Sequence, residues 1–376
     1  MTQVGDDKVE LLHDGAAYLP AMMTAIKEAA SEILLEMYWF GSDPTGRSFA
    51  AALEARARAG VRVCVIYDAF GSWDTDSRMF VKLQEAGCLV YCYNPISRYL
   101  ARFSWRRLSR RDHRKMLIVD GRIAFTGGVN LADAWAPDEY GHGGFRDDMI
   151  RVEGSSAIRM RQIFLQTFLR GMEDSIDDAW KRQLQLSDDK DTTQSARIFA
   201  VTNEGRGQRR AIDRAYLERI SAARKSVLLA NSYFIPRPAV RRALAAAAAR
   251  GVEVKLLLSG ESDVPGVNYA SRWLYDWMLR HGIAVYLWRT GILHAKTAVF
   301  DDEWCTVGTH NFDYRSLNFN LEINLFVHSD ELASALAQRM RRDLAESQQI
   351  ERATWRFRSL SERFFEWLFF RMRRLM

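Results

Sequence analysis

Cysteine and histidine are both scarce in this chain, at four and seven among 376 residues. Cys64, Cys88, Cys92 and Cys305 lie in apolar, strand-like runs at neither metal-ligand nor disulfide spacings. That pattern predicts reduced, buried thiols and argues against a disulfide-stapled scaffold. No run of about eighteen apolar residues occurs, so no membrane-spanning helix is expected. The opening MTQVGDDKVELLHDG is polar and acidic and does not read as a signal peptide. What the chain does have is 48% apolar residues, enough to fill a large core.

Two of the seven histidines stand in matched surroundings. His113-Arg114-Lys115 runs through an apolar stretch to Asp120 and on to Gly127-Gly128-Val129-Asn130; His294-Ala295-Lys296 runs likewise to Asp301 and Gly308-Thr309-His310-Asn311. Both copies read H-x-K-x4-D, with seventeen positions from histidine to asparagine. A lone H-x-K is most simply a satisfied strand histidine beside a surface lysine. A duplicated one with a matched ending points to chemistry. In a strand, residues two apart share a face, so each His–Lys pair should project together. An imidazole can attack phosphorus and form a covalent intermediate. A second can protonate the leaving oxygen and deprotonate the incoming one, while lysines and asparagine amides meet the charge on phosphoryl oxygens.

The flanking text is duplicated too. Helix-like segments at 19–30, 48–59 and 79–86 alternate with strand-like ones at 33–40, 61–67 and 89–93. The same order returns at 214–223, 227–234, 240–250, 252–258, 273–280 and 284–288. Alternation at this spacing predicts βαβ units on largely parallel sheets. The expected division is a first half over residues 1–186, a second over 187–350, and a tail over 351–376. Gly87 precedes His113 by 26 residues while Gly282 precedes His294 by 12, so the first half carries fourteen extra residues before its motif.

Charge is unevenly placed. Residues 98–115 carry a net +7 and residues 351–376 a net +4, leaving −5 on the remainder of a chain whose total is +6. The first basic segment interleaves Arg98, Arg102, Arg106 and Arg107 with Trp105 and other apolar residues. The tail sets Trp355, Phe364, Trp367 and Arg371 among further arginines. Basic, aromatic segments of this kind suit an anionic membrane surface. A packing helix is the competing reading of the tail.

With these residues in view, the chain resembles the phospholipase D superfamily, and within it the bacterial cardiolipin synthases of the short type B form. The resemblance rests on the motif pair and on Ile123-Ala124-Phe125-Thr126-Gly127-Gly128-Val129-Asn130, Asn231-Ser232-Tyr233-Phe234-Ile235-Pro236, Thr306-Val307-Gly308, Arg315-Ser316-Leu317 and Asn320-Leu321-Glu322. It implies a duplicated α/β fold with one metal- and cofactor-independent active site at the pseudo-twofold interface. It also implies that His113 is the nucleophile and His294 the acid–base, with Lys115, Lys296, Asn130 and Asn311 on the phosphoryl oxygens. Asp147, or Asp148 beside it, and Glu322 would each orient the histidine of the other half; Asp120 and Asp301 would be scaffold. Thr309 stands where the family commonly has serine. The expected activity is phosphatidyl transfer to phosphatidylglycerol, giving cardiolipin. Phosphatidylethanolamine is a second candidate lipid, and the site is expected on the cytoplasmic face of the bacterial inner membrane. Phospholipid hydrolysis is the first alternative and nucleic-acid cleavage the second, with no nucleic-acid partner expected.

Overall fold

The computed structural model describes residues 1–95, 109–137, 144–185, 197–205, 207–262 and 264–374. Arg98, Arg102, Trp105, Arg106 and Arg107 lie outside the described residues, as does most of the polar stretch between the halves.

Two eight-stranded sheets carry the chain. In the first half, β1 (Thr2–Val4), β2 (Asp7–His13), β3 (Glu32–Met37), β4 (Arg62–Asp68), β5 (Leu89–Tyr93), β6 (Met116–Val119), β7 (Ile123–Gly127) and β8 (Asp148–Glu153) lie in the order β1-β2-β8-β7-β6-β3-β4-β5. The second half repeats this with β9 (Ile198–Thr202), β10 (Ser226–Asn231), β11 (Glu253–Ser259), β12 (Ala284–Trp288), β13 (Lys296–Phe300), β14 (Trp304–Gly308) and β15 (Ile323–His328). A two-residue strand β16 (Gln348–Gln349) adds to its edge, in the order β16-β12-β11-β10-β13-β14-β15-β9. The expected α/β duplication is there, but each sheet is mixed rather than mostly parallel. Only β3-β4-β5 and β10-β11-β12 pair in parallel. The motif strands β6 and β13 enter antiparallel, because tight turns join each to the next strand in a meander.

Helices α1 (Gly15–Glu28), α2 (Pro44–Arg58) and α3 (Ser77–Glu85) cover the outer face of the first sheet. Of the next two, α4 (Ser155–Gly171) and α5 (Asp178–Gln185), α4 lies in the core between the sheets. α6 (Ala211–Ala222), α7 (Pro238–Ala249), α8 (Pro265–Arg272) and α9 (Tyr275–Arg280) cover the outer face of the second sheet. After the short α10 (Tyr314–Asn318) comes α11 (Asp330–Ala345). Its Leu332, Leu336 and Met340 join Met160, Phe164 and Phe168 of α4 in that one core, so the halves share a continuous apolar interior. β3 is buried along its whole length, its apolar residues in the core and its Glu32 and Glu36 paired with the buried Arg161 and Arg114. α2 starts on an Asp43 cap with Pro44 in its first turn. α2 and α7 are followed by Gly60 and Gly251 at φ +89° and +87°, a stop that L side chains resist.

Asp120 and Asp301 do the same job in each half. Both sit at positive φ just after the motif strand. Asp120 accepts from the backbone N–H of Ala30, Ser31 and Glu32, and Asp301 from those of Arg224, Lys225 and Ser226. Each carboxylate ties the far end of a motif strand to the turn leading into the neighbouring strand.

Candidate active site

The motif histidines meet where the halves touch. His113 N donates to Leu321 O at 3.0 Å while Leu321 N donates to Arg111 O at 2.8 Å. The other half mirrors this: His294 N donates to Arg146 O at 2.7 Å, and Arg146 N to Ile292 O at 2.9 Å. Leu321 and Arg146 immediately precede Glu322 and Asp147. Backbone pairing therefore carries each acid to the histidine of the opposite half. His113 Nδ1 lies 3.1 Å from Glu322 Oε2, and His294 Nδ1 lies 2.8 Å from Asp147 Oδ2. Engaging Nδ1 fixes each ring's orientation and turns its Nε2 edge away from the acid.

Between the adjacent acids the geometry chooses Asp147. Asp148 faces away, accepting from Arg146 Nη1 at 2.6 Å and lying 2.6 Å from His13 Nδ1. The alternation of side chains at the start of β8 separates the two.

All four ionic partners are buried. Burial alone would raise both carboxyl pKa values, but His113 holds Glu322 down at about 2, and His294 with Lys296 and Trp135 keeps Asp147 below its ordinary value. Burial draws the His113 imidazole down to about 4 against the pull of Glu322, so it stands neutral at pH 7. Lys115 is drawn down to about 7 by burial, with the Lys296 ammonium adding to it and Glu322 opposing. Its Nζ donates to His113 O at 2.8 Å and lies 5.1 Å from the Tyr38 ring centroid. Lys296 Nζ donates to His294 O and, at 3.0 Å, to Ser232 Oγ. Asn130 Oδ1 accepts from Trp39 N at 3.1 Å; Asn311 is buried and its Oδ1 has no partner among the described residues. Among the described residues, no group of His, Cys, Asp or Glu side chains is placed to hold a metal ion.

Several supporting residues were given no such role from the sequence. Trp135 Nε1 donates to Asp147 Oδ2 at 2.9 Å, and its ring stands edge-on to His294. Glu322 is steadied by hydroxyls: Ser316 Oγ donates to Oε1 at 2.7 Å, and Thr309 Oγ1 donates to Oε2. At the repeat position of Thr309 stands Gly128, where a Cβ would meet the Asp147 carboxylate at 2.3 Å. Arg114 is fully buried against Glu36 at 2.7 Å and Glu204 at 3.0 Å, and Arg146 reaches Asp343 at 2.7 Å. Their repeat counterparts, Ala295 and Leu321, are uncharged. Aligning the two halves therefore exposes both arginines as features of the first half alone.

The tail forms α12 (Arg352–Trp355) and α13 (Leu360–Met372). α13 docks on α8 through a fully buried Glu366, which pairs with Arg272 at 3.2 Å and Arg358 at 2.8 Å. Phe369 stacks on Tyr269. Phe364 and Trp367 stay exposed at 54% and 42%, and Arg371 is exposed beside them. Trp355, grouped with them from the sequence, is instead half-buried against Tyr275 and beneath the Arg358 guanidinium. No described helix is long and apolar enough to cross a membrane.

A family model described as "Cardiolipin synthase, PLD-like domain" matches residues 22–137 and 216–344. Cardiolipin synthase B of Escherichia coli K12 is 36% identical over 323 residues, spanning 86% of this chain and 76% of that protein. A cardiolipin synthase of Listeria monocytogenes is 31% identical over 361 residues, spanning 96% of this chain and 74% of that protein. Among solved structures, a phosphatidylserine synthase of Haemophilus influenzae superposes with a TM-score of 0.74 at 13% identity, covering 98% of this chain and 93% of that one. At that identity the likeness concerns the fold.

Proposed function

The chain belongs to the cardiolipin synthase family of phospholipase D-like phosphatidyltransferases, and from that premise we propose that it joins a phosphatidyl group to the hydroxyl of phosphatidylglycerol, making cardiolipin. The observation carrying this reading is the crossed arrangement of two histidine–carboxylate pairs with two buried lysines between the halves.

In this reading the neutral His113 Nε2 attacks phosphorus, and the bond to the departing alcohol breaks as His294 Nε2–H protonates its oxygen. The phosphohistidine keeps its Nδ1–H on Glu322, which balances the imidazolium charge. The acceptor hydroxyl then gives its proton to His294 and attacks phosphorus, and the P–N bond breaks to restore neutral His113. Lys115, Lys296, Asn130 and Asn311 meet the phosphoryl oxygens. Phe364, Trp367 and Arg371 rest at a lipid surface, on the cytoplasmic face of the membrane, and phosphatidylethanolamine is a second candidate donor.

The test is incubation of the purified protein with phosphatidylglycerol vesicles, with and without phosphatidylethanolamine and glycerol, followed by lipid analysis. Cardiolipin with release of glycerol is expected. Phosphatidic acid as the main product would make the enzyme a hydrolase, and no lipid product at all would overturn the assignment.

A further inference from the structure

A second site is built between the halves. An open cavity of about 840 Å³ is floored by Tyr91 and Tyr93 of β5 and walled by the end of α4, by residues 203–205 and 207–214, and by residues 317–321. None of the motif histidines or lysines is among its described lining residues. Its size falls in the range of roughly 300–1,000 Å³ usual for small-molecule sites, which favour domain interfaces.

The lining is strongly basic. Arg110, Arg170, Arg209, Arg210 and Arg214 face one carboxylate, Glu204. Glu204 is already engaged by Arg114 at 3.0 Å, by Thr167 at 2.9 Å and by Arg170. Among the described residues, no carboxylate pairs with Arg110, Arg209, Arg210 or Arg214. Backbone contacts hold two of these arginines: Arg209 donates to Asn318 O at 2.6 Å and Arg214 to Gly207 O at 3.3 Å. Each guanidinium carries five N–H donors, so most remain for a ligand. The first turn of α6 adds its partial positive charge, and its one acid, Asp213, is turned to Arg237. Like charges gathered this closely repel one another until an anion joins them.

A further observation narrows the ligand. Asn320 lines the cavity, and its buried Oδ1 has no hydrogen-bond partner among the described residues, so a ligand hydroxyl would satisfy it. We propose that the cavity is a second anion site, taking the phosphodiester of a hydroxyl-bearing lipid headgroup. This rests on the phosphatidyl-transfer reading, in which donor and acceptor each bring a phosphodiester to one enzyme. The site is wired to the first. Asn203, on the cavity wall, donates to Asn320 O at 2.7 Å and accepts from Glu322 N at 2.9 Å, and Leu321 between them bonds to His113. A headgroup in the cavity therefore steadies the segment that delivers Glu322 to His113.

The test is titration calorimetry of the full chain carrying His113→Ala with dihexanoyl-phosphatidylglycerol below its micelle concentration. Binding is read without turnover, so failure of the transfer reaction leaves this readout intact. Two equivalents are expected, falling to one when Arg209→Gln, Arg210→Gln and Arg214→Gln are added. Each lost charge-assisted hydrogen bond weakens the site by about tenfold or more. Equal stoichiometry with and without the arginines overturns the proposal. Displacement of the second equivalent by inorganic phosphate at matched concentration would make this a free-phosphate site and overturn the headgroup assignment. If circular dichroism shows that the triple variant is unfolded, Arg210→Glu alone must weaken the second equivalent, and unchanged binding there overturns the proposal equally.

Discussion

Trp135 and His294 share one oxygen. The indole Nε1 reaches Asp147 Oδ2 at 2.9 Å and the imidazole Nδ1 reaches the same atom at 2.8 Å, with ring centroids 5.1 Å apart and nearly perpendicular. The indole thus fixes both the carboxylate that orients His294 and the wall against which the imidazole stands. At the other histidine, no indole among the described residues is seen to do this. Ser316 and Thr309 hydroxyls hold Glu322, and Tyr38 stands edge-on to His113 at 4.9 Å. One fold thus supports its two histidines by different means, as expected if they perform different steps.

Trp135→Phe keeps an aromatic ring, though a smaller one, and removes the N–H. The expected result is a fall in kcat of roughly ten- to a hundredfold, the equivalent of about 1.5–3 kcal/mol for a hydrogen bond to a charged group. KM should change little, and the pH dependence of kcat should shift because Asp147 has lost a donor that favours its ionised form. Unchanged kcat with only a lower melting temperature would show the indole to be packing alone.

His113→Ala and His294→Ala should each abolish transfer while leaving the fold intact, as judged by circular dichroism. Because the two residues act in one sequence, the double variant should be no worse than either single one. A phosphatidyl adduct trapped by acid quench should map to His113. An adduct on His294 would exchange the two roles.

The pH dependence follows from two buried bases. Free His113 must be neutral to attack, and burial places its pKa at about 4; Lys115 must be charged to meet the phosphoryl oxygens, and its pKa lies at about 7. Measured with detergent-dispersed lipid, kcat/KM should therefore fall below pH 4 and again above pH 7, since it reports the free enzyme. The upper limb should move to higher pH in kcat, because a bound phosphate anion stabilises the ammonium. Both groups are depressed relative to the unfolded chain, which holds more protons between pH 4 and 6.5 and between pH 7 and 10.5. Their contribution to stability accordingly rises with pH through each window. Lys115→Arg should remove the Lys115 contribution to the upper limb, leaving the loss of the His294 proton, and a limb unchanged at pH 7 in that variant would show that Lys115 does not set it.

Much of this architecture was legible in the sequence because it was written twice. The motif spacing, the glycines closing α2 and α7, and strands β5 and β12 stand where the sequence placed them. The crossing of Asp147 and Glu322 to opposite histidines came from family likeness, and local text could not have supplied it. It depends on backbone pairing between segments 209 and 147 positions apart. The antiparallel entry of β6 and β13 was missed because apolar β-branched text is the same in either direction. α4 and α11 were missed because their burial is settled by the second sheet closing over them. Trp135 belongs to no motif, and Ser316 stood only within Arg315-Ser316-Leu317 with no role attached; the folded position of a carboxylate gives each its role.

The tail supplies the last prediction. α13 has two faces. Glu366, Phe369 and Phe370 hold it to α8 and to Trp273 just after it, while Phe364 and Trp367 stand exposed near arginines 363, 371 and 374. Deleting the tail would strip Arg272 and Tyr269 of partners and confound binding with stability, so substitution of the exposed face is the cleaner probe. Burying one Phe or Trp side chain contributes roughly 1.5–3 kcal/mol, so Phe364→Ser with Trp367→Ser should weaken binding to phosphatidylglycerol vesicles by about two orders of magnitude or more. Melting temperature and turnover of detergent-dispersed lipid should stay near wild type, because neither side chain is buried in the fold. The lost part should persist in high salt, whereas the part due to arginines is screened within a Debye length of about 8 Å at physiological ionic strength. Glu366→Gln should do the opposite, lowering the melting temperature by leaving Arg272 and Arg358 short of a charge partner. Vesicle sedimentation separates the two cases. Wild-type binding by the Phe364, Trp367 double variant would show that α13 is a packing helix whose exposed aromatics do not enter lipid.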